Sequence, residues 1–316
     1  SLLVSSWEKA DEEMDSLLKE LNRDGFRFGR DFILKTCLVV FNKGARYEVE
    51  KFRDGSTKRD IENNWDQLSK ALFDVKDFIR GTTFIQCDKV LTSYLALIPL
   101  IYFRYHFKTK WESSPSKSEF LVRSLLAGAF GGSPDSLIDK IIKKINDIKD
   151  FDIKEIYGVI IDDGRNLELS KDNLLGISYS DKRIHLLFSI WYDFNYKPSY
   201  VLNEPQLDHI FPQSLLKTVK VLNTATGHKT TMKYTYERRD LLGNMMLLKN
   251  AENGSGGKTD TPPEVWFAGK SDAYLDLHLI PKDRNLWKLE KYEEFIAERN
   301  KLILNKFEFL LTKEKT

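Results

Sequence analysis

Cysteine is scarce. Only Cys37 and Cys87 occur in 316 residues, in unrelated contexts, which excludes a disulfide framework and a cysteine-built zinc site. Long apolar runs are missing as well. The longest, Val90 to Phe103, contains Pro99 and falls short of the roughly 20 residues that cross a bilayer; it reads as a buried helix. No signal peptide opens the chain, so a cytoplasmic protein with no membrane partner is expected. Neither sign of charge dominates, since 49 Lys and Arg face 47 Asp and Glu, for a formal net charge of +2. Overall charge therefore does not announce a nucleic-acid binder. Glycine clusters are few, and Gly131-Gly132 and Gly254 to Gly257 lack the strand and the Lys-Ser/Thr context of a phosphate loop. There is no internal repeat and no low-complexity tract.

What is present is ordinary for a globular chain, 41% hydrophobic and 30% charged, and long enough for two domains. The first two thirds read as helical. Amphipathic stretches run over Trp7 to Leu21, Phe28 to Val40 and Arg59 to Ile79, the last carrying Trp65, Leu68, Leu72, Val75 and Ile79 at helical spacing. A further helix is expected with Ser133 as cap and Pro134 at its first position, and with Leu137, Ile138, Ile141, Ile142, Ile145 and Ile148 as one apolar stripe. Shorter helices are expected over Ile153 to Val159 and Arg183 to Tyr192. The pattern changes after Lys197-Pro198-Ser199. Val201 to Gln213 and Thr231 to Leu248 look like strands, and Asn223-Thr224-Ala225-Thr226-Gly227 signals an extra hairpin between them. Trp287 to Leu311 is helical again, with Tyr292, Phe295, Ile296, Arg299 and Leu302 on one face.

The chemistry concentrates in one span. Leu207-Asp208-His209-Ile210-Phe211-Pro212-Gln213-Ser214 is followed by Gly243-Asn244 and then by Asn253 and Lys258. A carboxylate beside an imidazole, then two asparagines and a lysine, supply a metal ligand, a base, a positioning group and a phosphate contact, the set that phosphodiester hydrolysis needs. His209 suits the base because imidazole titrates near neutral pH. Adjacent strand residues point to opposite sides, so Asp208 and His209 share a site only where the strand ends or twists, and Pro212 marks such an end. Around this span Lys217, Lys220, Lys229, Lys233, Arg238, Arg239 and Lys249 face only Glu237 and Asp240. Such a patch suits a phosphate backbone. His106, His185, His228 and His278 have no comparable neighbours and read as surface or core residues.

The order and spacing of these residues resemble the ββα-metal fold of HNH endonucleases, and the nine positions from Asn244 to Asn253 are similar to those in the HNH domain of CRISPR effector nucleases. The resemblance implies His209, Asn244 and Lys258 as catalytic residues and Asp208 and Asn253 as ligands of Mg2+ or Mn2+, with Asn250 and then Glu252 as alternatives to Asn253. Of the basic patch, Lys217, Lys220, Arg238, Arg239 and Lys249 are the expected nucleic-acid contacts. One departure is the glycine-rich run between Asn253 and Lys258, which a helix interior resists, so that either the helix starts late or a loop carries Lys258. The two cysteines cannot supply the zinc brace of some HNH proteins.

A wider similarity rests on Phe78-Ile79-Arg80, Leu97-Ile98-Pro99-Leu100 with Tyr102, Leu126-Ala127-Gly128-Ala129-Phe130, and Tyr292, Phe295 and Arg299. These resemble GmrSD-type restriction and anti-phage proteins, which pair an amino-terminal nucleotide-binding domain and a helical region with a carboxy-terminal HNH nuclease. The Asp-Gly-Gln-Gln-Arg motif of that amino-terminal domain does not occur here. The chain is therefore expected to be the carboxy-terminal part of a longer protein or a relative without the nucleotide-dependent half, and to hydrolyse no nucleotide. The implied architecture is mainly α: a helical domain over 1–195, then a small α+β ββα-metal (HNH) nuclease domain with flanking helices over 196–316. The implied activity is metal-dependent cleavage of double-stranded DNA, phage DNA in particular. The alternatives are a catalytically weak HNH-fold DNA-binding module and a nuclease acting on RNA.

Overall fold

The computed structural model describes residues 9–192, 206–253 and 257–312, except for the side chains of Asn250 and Asn253. Trp7, Lys197-Pro198-Ser199 and the start of the strand expected from Val201 lie outside these residues. Among the described residues the chain is mainly helical, with two small two-stranded sheets in its carboxy-terminal part. It divides into two compact units, Ser1–Glu168 and Leu169–Thr316. The division falls upstream of the expected boundary at 195/196, and hydrogen bonds show why. Leu242 N donates to Ile177 O, Tyr179 N to Asp240 O, and Tyr192 Oη meets His278 Nδ1 at 2.8 Å, so the segment 169–192 is tied to the later residues.

Among its described residues the regular elements of the first unit are all helices. Its hub is Ile98–His106, buried from Ile98 to Arg104, against which the helices Arg30–Val40, Trp65–Thr82 and Asp135–Ile148 pack. Pro99 sits in the first turn of that helix, where a missing N–H costs nothing. Tyr94–Leu97 before it is a 3-10 turn, so the apolar run from Val90 is helical only in its second half. The stretch expected as one helix over Arg59 to Ile79 is two, Gly55–Asn63 and Trp65–Thr82. Asn64 breaks it: its side chain donates to Asp60 O at 2.8 Å, a local bond that competes with the helical ladder. Pro134, not Ser133, occupies the cap position of Asp135–Ile148, and no side chain caps that end.

In the second unit, β1 (Gln206–His209) pairs antiparallel with β4 (Met245–Leu248), Asp208 opposite Met246 and His209 opposite Met245. Between them lie the helix Gln213–Thr218, a hairpin of β2 (Lys220–Leu222) and β3 (Lys229–Met232), a helical turn Tyr236–Arg239 and a 3-10 turn Leu242–Asn244. The strand expected from Thr231 to Leu248 is thus interrupted, because Arg238 N and Arg239 N both bond back to Thr235 O. The helix Asn250–Asn253 follows β4.

The core of this unit gathers Ile210, Phe211, Leu216, Met246 and Leu248 against Phe267, Trp287, Tyr292 and Phe295. Phe211 meets Tyr292 and Phe295 edge-on at 5.2 and 5.0 Å, an arrangement that favours aromatic pairs. The two residues after Asp208-His209 are therefore anchors that fix where β1 ends. On the helix Tyr292–Lys306 the buried positions are Tyr292, Phe295, Arg299 and Ile303. Leu302, expected on that face, is exposed, one position off the stripe.

Candidate functional site

His209 is the last residue of β1, so its side chain leaves the sheet where the pleat ends. The ring is mostly buried and stacks on Tyr179, with centroids 5.4 Å apart and planes 23° from parallel. Its Nε2 lies 2.9 Å from Asp240 Oδ1, and the Gln213 side-chain amide donates to the same oxygen at 3.0 Å. A carboxylate only accepts, so in a neutral ring Nε2 carries the proton and Nδ1 is the basic nitrogen. Burial lowers the imidazole's pKa, with the Asp240 carboxylate opposing the shift; the ring stays neutral to lower pH than an exposed histidine.

Asn244 is fully buried in the 3-10 turn just before β4. Its Oδ1 accepts from Phe211 N at 2.9 Å, while its Nδ2 donates to Phe211 O at 3.2 Å and to Arg239 O at 2.8 Å. Its own carbonyl accepts from Ile210 N at 2.8 Å. One amide thus clamps the backbone that follows His209. Arg299 holds the clamp from behind, donating to Leu242 O and Gly243 O at 3.2 and 2.9 Å and to His278 O and Leu279 O. Gly243 permits the approach: a Cβ there would stand 2.6 Å from Asn300 Oδ1 and 3.2 Å from Ile296 Cγ2.

Lys258 lies outside any helix and has no solvent exposure. Its Nζ stands 2.7 Å from Asp208 Oδ2 and donates to His209 O at 2.5 Å. Burial depresses its pKa, an effect that Asp208 opposes. Asp208 Oδ2 is buried, and the Lys258 ammonium is its partner.

Residues 166–306 match the family described as GmrSD restriction endonucleases, C-terminal domain. That region is of the GmrSD type. It contains every site residue named above, and no curated protein matches the chain.

Within the GmrSD-type region the expected residues divide. Asp208, His209, Asn244 and Lys258 come together at the end of β1. Asn253 ends the short helix after β4, but its side chain, like that of Asn250, lies outside the described residues. Glu252 pairs with Lys270 Nζ at 3.4 Å and accepts from Lys249 N at 3.2 Å. Lys217, Lys220, Arg238 and Lys249 are exposed. Arg239 turns inward, donating to Tyr234 O at 3.0 Å, and offers little to an external phosphate.

Among the described residues no group of three or more His, Cys, Asp or Glu side chains assembles a metal site. A hard divalent ion needs few protein ligands because it keeps its waters, and Asp208, whose Oδ2 is paired with Lys258 at 2.7 Å, is the carboxylate at this strand end that would serve as one. Asp240 and Tyr179 were not legible as site residues. Asp240 is an acid retained inside a basic stretch, which was the signal available; Tyr179 lies 30 positions upstream of His209 and carried none.

Proposed function

We propose that this chain is a metal-dependent DNA endonuclease of the HNH type serving a restriction or anti-phage system, with β1, β4 and the helix Asn250–Asn253 as its ββα unit. The observation that carries the reading is the imidazole of His209, held through Nε2 by Asp240 at 2.9 Å with Nδ1 left as a base at a strand end beside Asp208. In this reading Nδ1 removes a proton from the attacking water. Tyr179 and Asp240 keep the ring in one orientation, and Asn244 fixes the backbone that presents it, a positioning role.

Asp208 and Asn253 would hold Mg2+ or Mn2+, which when bound stabilises charge on the phosphate and the leaving oxygen. Lys258, with no exposure, cannot touch the substrate; it neutralises Asp208 and pins His209 O, a brace in place of the expected phosphate contact. Lys217, Lys220, Arg238 and Lys249 supply the surface for the DNA backbone, phage DNA being the substrate such a system meets.

A second reading, a DNA-binding module with little chemistry, draws on the same Lys258–Asp208 pair, because an ammonium already neutralises the carboxylate. Supercoiled plasmid incubated with Mg2+ or Mn2+, with and without EDTA, separates the two. EDTA-sensitive nicking or linearisation supports the nuclease; binding of the plasmid with no cleavage under either metal supports the module.

A further inference from the structure

The hairpin of β2 and β3 fills part of the connection between the strand of His209 and the turn of Asn244, and it is exposed along both strands. An isolated two-stranded hairpin is marginal in water, and a ribbon with two solvated faces gains nothing for the core. It is nonetheless well formed. Asn223 N donates to His228 O at 2.8 Å, Asn223 Oδ1 accepts from Ala225 N, and Gly227 takes the positive φ that closes the turn. Its root is rigid: Lys233 N donates to Val219 O at 2.9 Å, Val219 packs on the core and Tyr234 is buried in it. The ribbon is therefore attached to the same core that holds the end of β1.

Its chemistry is one-sided. From Ser214 to Tyr236 there is no Asp or Glu, while Lys217, Lys220, Lys229 and Lys233 are accompanied by His228 and by threonines. Among the described residues Lys217, Lys220 and Lys229 take part in no ion pair; Lys233 reaches Glu293 at 3.5 Å. Lys220 pairs with Met232 and Leu222 with Lys229, and cross-strand partners share a face, so lysines and apolar side chains alternate there. Leu222 is 57% exposed and Met232 41%. A second copy of this chain would bring the same positive charge to the ribbon. A polyanion with a groove wide enough for two strands fits it instead.

We infer that the β2–β3 hairpin seats in the major groove of duplex DNA. The inference rests on the nuclease reading for its choice of partner and adds the element that grips it. The major groove of B-form DNA, about 12 Å wide, admits a two-stranded ribbon. Lys220 and Lys229 meet the flanking phosphates, and Leu222 and Met232 lie against base edges and thymine methyl groups. A-form RNA has a major groove too deep and narrow for side chains to read, so the hairpin distinguishes the two duplexes.

The test is fluorescence anisotropy with a short labelled DNA duplex, a matching RNA duplex and the single DNA strand, titrated with the full chain between roughly 50 and 200 mM salt. The parent is expected to prefer duplex DNA. The Lys220→Gln/Lys229→Gln variant should bind it about tenfold more weakly, with the salt slope reduced by roughly 2, because each lost phosphate contact removes about 0.9. Leu222→Ser/Met232→Ser should lose the preference for DNA over RNA while keeping the salt slope. Parental affinity and slope in the lysine variant would overturn the inference, as would a parent that binds both duplexes equally. The nuclease reading fails separately: a chain that grips duplex DNA through the hairpin but never cleaves it leaves the hairpin assignment standing.

Discussion

Removing the Asn244 amide should loosen the end of β1 and with it the imidazole. In Asn244→Ala three hydrogen bonds vanish, leaving Phe211 N–H, Phe211 C=O and Arg239 C=O without the partner they have now. Each buried polar group stripped of its partner costs about 1–3 kcal/mol. The carbonyls recover part of this by relaxation, so the net loss is on the order of 3–5 kcal/mol, a large share of the roughly 5–15 kcal/mol that holds a domain together. At about 2–4 °C per kcal/mol for a domain near 150 residues, calorimetry of the variant should show a melting temperature lower by on the order of 10 °C. Nicking measured well below that melting point should still fall by on the order of 10²-fold, because displacing a reacting group by about an ångström is enough. Mn2+ affinity, measured by titration calorimetry, should be nearly unchanged, since Asn244 faces Phe211 and Arg239 and not Asp208. Asn253→Ala should weaken both cleavage and Mn2+ binding. A variant melting within about 1 kcal/mol of the parent, or one losing metal affinity as Asn253→Ala does, would refute this division between the two asparagines.

Other consequences are smaller in scope. Gly243→Ala places a Cβ 2.6 Å from Asn300 Oδ1 and should cost about 1–3 kcal/mol by overpacking, read as a lower denaturation midpoint with an unchanged slope; a neutral result would mean that Asn300 swings aside freely. Asp240→Asn should slow nicking by roughly 10- to 100-fold without unfolding the chain, the usual effect of losing a partner that orients a functional side chain, and an unchanged rate would remove Asp240 from the site. His278 is buried against Arg299, Lys270 and Lys249, with Glu252 opposing them, and its pKa is pushed down to about 3. The unfolded chain, with a histidine near 6.5, binds the extra proton between these values. Stability should therefore drop as pH falls through that window, by about 1.4 kcal/mol per unit. Urea unfolding at pH 7 and pH 5 should show that His278→Asn flattens this dependence; an identical slope in the variant would contradict it.

Much of the fold was legible because apolar spacing reports helices directly. Of the stripe that spacing predicts, Leu137, Ile138, Ile141, Ile142 and Ile145 are buried and Ile148, at its end, is half-buried. Side-chain bonds to the backbone were not legible. Asn64 splits a helix through its bond to Asp60 O, and a periodicity that ignores polar detail runs straight across it. In the candidate site the contiguous residues Asp208-His209 stood out, and the turn at Asn223 to Gly227 signalled a hairpin, which forms. Tyr179 and Asp240, which flank the imidazole, are joined by the bridge between segments 177–179 and 240–242, a tertiary contact that no local spacing encodes. Arg299 lay in a recognised apolar pattern, but four bonds to backbone carbonyls cannot be read from helical periodicity.

The central claim is that His209 is the base of a metal-dependent phosphodiesterase. Its most direct test is the rate of plasmid nicking by His209→Ala against the parent, at equal protein, with saturating Mn2+ and with binding of the same DNA measured alongside. Unchanged DNA binding and a rate lower by on the order of 10²-fold or more are expected. A His209→Ala chain that nicks as fast as the parent would contradict it.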